Sequence, residues 1–177
     1  MLKIKIIIGL FTITSLFSCV ESEPKVADKE LFFSLKNYFE KEAQRLNKIQ
    51  PTVLKQVNRN STTETKEIEI QDWEREFGLF IESDINRLSW KNSYLETTRQ
   101  DTVFYKSNDP TLRTQEIYIV KDNDKIKGIS INNIVDNYLY KSNERLVYYP
   151  DSLYQINKLQ KVRVLGANDY HISGFFK

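Results

Sequence analysis

The sequence is poor in the residues that carry most protein chemistry. It holds one cysteine, Cys19, and one histidine, His171. A disulfide needs two thiols, so none can form within the chain. Zinc sites built on several Cys and His ligands are excluded, and a nucleophile–histidine pair would have to use His171. Only five glycines are present, and none stands in a Gly-rich loop that could cradle phosphate. Excess charge is scarce as well. The 26 Lys and Arg face 24 Asp and Glu, and setting aside Lys3 and Lys5 leaves 24 against 24. A balanced chain has no global basic field, which disfavours nucleic acid as a partner. Long apolar runs are missing too. The uncharged stretch Ile6 to Phe17 would reach only ~18 Å as a helix, against about 30 Å for a hydrocarbon core.

That stretch nevertheless sets the first 18 residues apart. Lys3-Ile4-Lys5, then the apolar run, then small residues form the pattern of a secretory signal. The run ends in Leu16-Phe17-Ser18-Cys19, which resembles the lipobox of bacterial lipoproteins, a small residue followed by cysteine. Phe17 is bulkier than the usual Ser or Ala. The resemblance implies cleavage between Ser18 and Cys19, a diacylglyceryl group on the sulfur, and acylation of the new amino group. The alternative is a chance cysteine after an ordinary signal peptide, which would leave a secreted protein with one stray thiol. Two or three acyl chains hold a protein in its leaflet, where a single chain binds only reversibly. The expected organisation is a signal peptide over 1–18, a lipidated tether over 19–26 and a single domain over 27–177. The expected partner is the lipid bilayer, at the outer membrane, on its periplasmic face or at the cell surface. Glu21 and Glu23 resemble a surface-display signal of Bacteroidota lipoproteins; a solvated tether is equally expected to be charged.

The pattern beyond the tether is helix first, strands later. Asp28 is a candidate N-cap for a helix running to about Gln50, with Leu31, Leu35, Tyr38, Phe39, Leu46 and Ile49 at helical spacing. Burying six such side chains contributes on the order of 10 kcal/mol gross. Pro51 ends the helix. Residues 52–70 read as a hairpin turning near Asn58 to Ser61. Asp72 then caps a second helix whose apolar face is Trp73, Phe77, Phe80, Ile81 and Ile85. From Tyr94 the period becomes two. Strands are expected over 95–106, 114–121, 125–131, 135–141, 145–149, 153–165 and 170–176, with turns at Asp122-Asn123-Asp124, Ser142-Asn143-Glu144, Pro150-Asp151 and Gly166 to Asp169.

Trp73-Glu74-Arg75-Glu76-Phe77, Phe80, Asp84-Ile85-Asn86-Arg87 and Tyr94, together with the segment Leu146 to Phe176, resemble small uncharacterised lipoproteins of Bacteroidota. That resemblance carries no known activity and assigns no catalytic residue.

Candidate chemistry is thin. His171 sits in an expected final strand, where a polar residue faces solvent. Asp122-Asn123-Asp124 has oxygen ligands at alternate positions, but a calcium loop also needs Gly and Glu where this chain has Lys127 and Asn133. Glu74, Glu76, Glu82 and Asp84 are carboxylates on or beside the second helix. No cofactor or metal is expected. The tyrosines stand out instead, with Tyr138, Tyr140, Tyr148 and Tyr154 as a possible binding surface, although tyrosine also simply favours strands.

The expected fold is α+β, a curved antiparallel meander with a long N-terminal helix and a second helix packed on it. Such a half-barrel is similar in outline to lipoprotein-carrier folds, an analogy of fold alone. Three functions compete: a non-enzymatic binding or accessory protein of the cell envelope, partnered by another envelope protein; a carrier of an acyl chain or other apolar ligand; and a carboxylate-dependent hydrolase.

Overall fold

The computed structural model describes residues 30–163 and 166–177. The expected signal peptide and tether, with Cys19, and the candidate cap Asp28 lie outside these residues. The first helix, α1, spans Leu35–Ile49 and is capped by Ser34, whose hydroxyl accepts from the Asn37 N–H. It is shorter than its apolar spacing suggests, for a tertiary reason. Asn86 Oδ1 accepts from the N–H groups of Leu31 and Phe32, which leaves those residues outside the helix. Phe32 then packs edge-on against both Tyr94 and Tyr105. At the other end Gln50 adopts a left-handed conformation (φ 44°), donates to the Leu46 carbonyl and hands the chain to Pro51.

Strands β1 (Thr52–Arg59) and β2 (Thr62–Glu69) form the expected hairpin. The second helical segment is two single turns, α2 (Trp73–Glu76) and α3 (Gly78–Ile81), because Phe77 leaves helical geometry between them. Asp72 caps α2 as expected, accepting from the Arg75 N–H. A 3-10 turn at Leu88–Trp90 leads to β3 (Tyr94–Arg99), β4 (Thr102–Ser107), β5 (Thr114–Asp122), β6 (Lys125–Asp136), β7 (Tyr140–Tyr149), β8 (Leu153–Val162) and β9 (Gly166–Phe176).

These nine strands make one open antiparallel sheet in the order β2-β1-β9-β8-β7-β6-β5-β4-β3. The stretch from β3 to β9 is the expected meander. The N-terminal hairpin closes onto its far end, with Val53 of β1 opposite Phe176 of β9. The chain between β2 and β3 therefore crosses from one edge of the sheet to the other, and α2 and α3 lie on that crossing.

One face of the sheet is covered and the other is open. On the inner face a cross-strand row runs through Tyr105, Ile117, Ile131, Leu146, Ile156, Ile172 and Val57. Against it α1 buries Leu35, Phe39, Ala43 and Leu46, at helical spacing. Its three large side chains contribute about 5–9 kcal/mol of gross transfer free energy. Phe39, Phe77, Phe80 and Tyr148 interlock, with the Phe39 and Phe80 rings 4.7 Å apart and those of Phe77 and Tyr148 5.3 Å apart. Trp73 stacks on Phe176 at 5.4 Å. All of these core residues come from position 35 onward. On the outer face Tyr118, Val120 and Tyr149 are exposed. Strand β5 thus carries apolar residues on both faces, with only Ile117 and Ile119 inside.

Three expectations about strand ends are corrected. Residues 95–106 are a hairpin of two strands turning at Gln100-Asp101, with Gln100 at φ 49°. Ser142-Asn143-Glu144 is the interior of β7, and the turn before it is Asn137-Tyr138-Leu139. Residues 166–169 open β9 and pair with β8.

Candidate functional site

The four singled-out tyrosines part company. Tyr148 and Tyr154 are directly opposite each other on β7 and β8 and fully buried. Their rings are core, not surface, because α1 and α2 lie across them. The Tyr148 hydroxyl donates to Glu42 of α1 at 2.5 Å, and Arg45 holds the same carboxylate at 2.6 Å. The Tyr154 hydroxyl donates to Glu76 of α2 at 2.5 Å, and Lys55 of β1 pairs with Glu76 at 2.6 Å. Burial, with the neighbouring carboxylate, pushes both phenols far above their ordinary range. These two hydroxyls fasten helices to the sheet. Tyr140 is half-buried at the start of β7. Tyr138 alone is strongly exposed, at 79 %.

The remaining candidates resolve one by one. Both nitrogens of His171 have partners on the outer face, Nδ1 with Asn157 at 2.8 Å and Nε2 with Asp169 at 3.0 Å. Asn123 and Asp124 both take positive φ (48° and 62°) between β5 and β6, the geometry of a two-residue hairpin turn. The carboxylates near the second helical segment scatter. Glu74 is exposed, Glu76 serves Tyr154, and Glu82 pairs with Arg113 at 3.3 Å. Asp84 accepts from the Lys36 N–H, the Ser34 hydroxyl and the Asn86 N–H, so it positions the start of α1. Among the described residues no group of three or more His, Cys, Asp and Glu could hold a metal ion.

Two features carry no signal that turn chemistry or periodicity recognises. The first is a buried polar cluster. Glu144, 3 % exposed on the inner face of β7, takes Arg113 at 2.7 Å and Lys158 at 2.9 Å. Asn133 donates to both Glu144 and the Ser83 hydroxyl, and Ser83 donates to the Leu79 carbonyl. Burial pushes the Glu144 carboxyl up, but the hydrogen bonds from Lys158 and Arg113 outweigh it and hold it below the usual range. A carboxylate so compensated is a structural anion and not a poised acid.

The second feature is the β6–β7 turn. Asn137 Oδ1 accepts from the N–H groups of Leu139 and Tyr140, both at 2.9 Å, and the Asn137 N–H donates to the Tyr140 carbonyl. This fixes the turn and projects Tyr138 and Leu139 outward, at 79 % and 67 % exposure. The Arg163 N–H donates to the Leu139 carbonyl, and its guanidinium lies 4.4 Å from the centre of the Tyr138 ring. A cleft of about 330 Å³ opens here, walled mainly by carbon and bordered by Lys141, Lys161 and Arg163. The geometry can hold an apolar group beside an anion; it brings together no nucleophile and base.

Among the described residues no helix is long and apolar enough to cross a membrane. No protein-family model, no curated protein and no solved structure matches the chain.

Proposed function

We propose that this is a lipid-anchored protein of the bacterial cell envelope, acylated on Cys19 at the outer membrane, and that its folded domain is a non-enzymatic binding or accessory unit. The observation that carries the anchor is the run Leu16-Phe17-Ser18-Cys19 behind an apolar stretch, in a chain with no other thiol. The binding role draws support from the interior. The space between helices and sheet is taken up by interlocked rings, so a carrier's ligand would have to displace its own core. Charged groups inside the fold are paired to one another, which favours a scaffold over a reaction centre.

The anchor is tested in cells by replacing Cys19 with serine (Cys19→Ser) and feeding radioactive palmitate. Label should appear in the natural chain and vanish in the variant. Equal incorporation in both ends the proposal. The binding role is tested separately on the chain from residue 20 onward, by extraction into organic solvent. A stoichiometric lipid recovered from the soluble domain would move the assignment to the carrier.

A further inference from the structure

The β6–β7 turn departs from the other described turns of the sheet. The tight ones read Asn60-Ser61, Gln100-Asp101, Asn123-Asp124 and Pro150-Asp151-Ser152, polar or turn-forming residues throughout, as solvent exposure dictates, and the longer β4–β5 connection keeps its Leu112 packed against the core. This one places a tyrosine and a leucine where water is most accessible. Tyr138 stays 79 % exposed even with the Arg163 guanidinium over its ring, Leu139 stays 67 % exposed, and Asn137 fixes the turn that projects both outward. Around them stand Lys141, Lys161 and Arg163. Asp136 pairs with Lys141 at 2.7 Å, and no carboxylate of the described residues pairs with Lys161 or Arg163. The tip is therefore apolar at its point and cationic at its shoulders.

We propose that this tip is a second membrane contact, which inserts Tyr138 and Leu139 at the level of the headgroups and seats anionic phospholipid phosphates against Lys161 and Arg163. The chemistry is complementary on both counts. An aromatic ring with a polar end suits the interface between water and hydrocarbon, and Lys and Arg stems lie along apolar surface while their charges reach outward. The dimensions favour lipid over protein. A stable protein partner needs about 800 Å² on each side, far more than two side chains at a hairpin tip present. A cleft of about 330 Å³ is at the small end for ligand sites, the scale of a headgroup.

This inference rests on the membrane-surface reading for its setting but not on Cys19 for its test. The 11 residues from Cys19 to Lys29 have a contour of at most ~40 Å, against a radius of gyration near ~15 Å for a domain of this size. An anchor of that reach permits many orientations, and a tip contact selects one.

The test uses the chain from residue 20 onward, which keeps the core from Leu35 on and the Phe32 and Phe33 rings packed against it, so the acyl anchor cannot contribute. Sedimentation is measured with vesicles of phosphatidylglycerol and phosphatidylcholine in equal parts, and with phosphatidylcholine alone. The domain should partition onto the anionic vesicles and weakly onto the neutral ones. Tyr138→Ser with Leu139→Ser should reduce partition at least about tenfold. Lys161→Glu with Arg163→Glu should reduce it by about fivefold or more per residue and abolish the preference for phosphatidylglycerol. Leu95→Ser, at an equally exposed leucine on edge strand β3, should change nothing. Circular dichroism and thermal melting check that every variant is folded. The proposal is overturned if the natural domain ignores anionic vesicles or if the tip variant partitions as well as the original. It is likewise overturned if the tip variant keeps its vesicle binding and loses a co-purifying membrane protein.

Discussion

Position 144 illustrates how much a single buried charge depends on its neighbours. A carboxylate at 3 % exposure survives in the folded state because Lys158 and Arg113 reach it from β8 and from the loop before β5, each pairing also supplying a hydrogen bond. Asn133 Oδ1 and the Ser142 hydroxyl beside it are buried with no hydrogen-bond partner among the described residues, so the ion pairs carry this part of the inner face. Glu144→Gln keeps the shape and removes the charge. It should lower stability by about 1.5–3 kcal/mol near neutral pH, the range for hydrogen bonds to charged groups. The pH dependence has a definite sign. The folded carboxyl lies below its ordinary value of 4.5, so its contribution is present above that value and fades as pH falls through the lower folded value. Urea midpoints of both proteins, followed downward from about pH 7, should differ most at neutral pH, with the gap narrowing once pH falls below the ordinary carboxylate range. A gap that stays the same size down to full protonation of the carboxyl would show that charge is not the cause.

At the scale of elements, two Gly–Tyr pairs test how the strands pack, one on each face of the sheet. Gly174 of β9 lies opposite Tyr154, and a Cβ there would come within 2.0 Å of the Tyr154 ring. That ring is buried and tied to Glu76, so it cannot move aside. Gly128 of β6 meets the Tyr149 ring at 2.8 Å, but Tyr149 is half exposed and free to swing outward. Gly174→Ala should therefore cost about 1–3 kcal/mol or more, and Gly128→Ala less than about 1 kcal/mol. Chemical denaturation of the pair checks this, and equal losses would refute the asymmetry. The same elements show what sequence pattern conveys. Helix α1, the β5–β6 hairpin and its turn at Asn123-Asp124 are legible because their apolar spacing and turn residues agree with their tertiary setting. The α2–α3 break and the late start of α1 are not, since Phe77 and Asn86 act through partners distant in the chain. The β6–β7 region reads backwards. Ser142-Asn143-Glu144 has turn chemistry but sits inside a strand, with Arg113 and Lys158 compensating the charge. Tyr138-Leu139 has strand chemistry but forms the turn. A local rule broken in both directions within seven residues is the kind of conflict that attends function. It left Tyr138 visible as a candidate, and hid the cations that accompany it. Tyr148 and Tyr154 looked equally available in sequence, because nothing there reveals that Glu42 and Glu76 lie across them.

Over the whole molecule, the sheet is closed in sequence but open in space. Its two ends of chain meet in the β1–β9 pair, where Val53 is opposite Phe176, while its free edges are β2 and β3. Both edges are mainly polar, Leu95 of β3 being the exception. β2 reads Thr-Thr-Glu-Thr-Lys-Glu-Ile-Glu and is exposed along nearly its whole length, a composition that discourages pairing with another chain. The hydrophobic weight lies inward, where β7 and β8 bury Leu146, Tyr148, Tyr154 and Ile156 under the helices. Stability should grade accordingly from edge to centre. Amide hydrogen exchange read strand by strand should find β2 and β3 exchanging through local opening, and the centre of β7 and β8 only through global unfolding. The β1–β9 ladder decides between two accounts of this gradient. If long-range pairing of the chain ends is an integral part of the cooperative unit, β9 and β1 will exchange with β8, and Val53→Ala will speed exchange in β7 as well. If the N-terminal hairpin is instead an appendage to a meander that folds alone, β1 will exchange with β2, and the same substitution will leave β7 untouched. The burial of Val53 at 0 % exposure within the common core favours the first outcome, because a side chain shared with the core couples its strand to the rest.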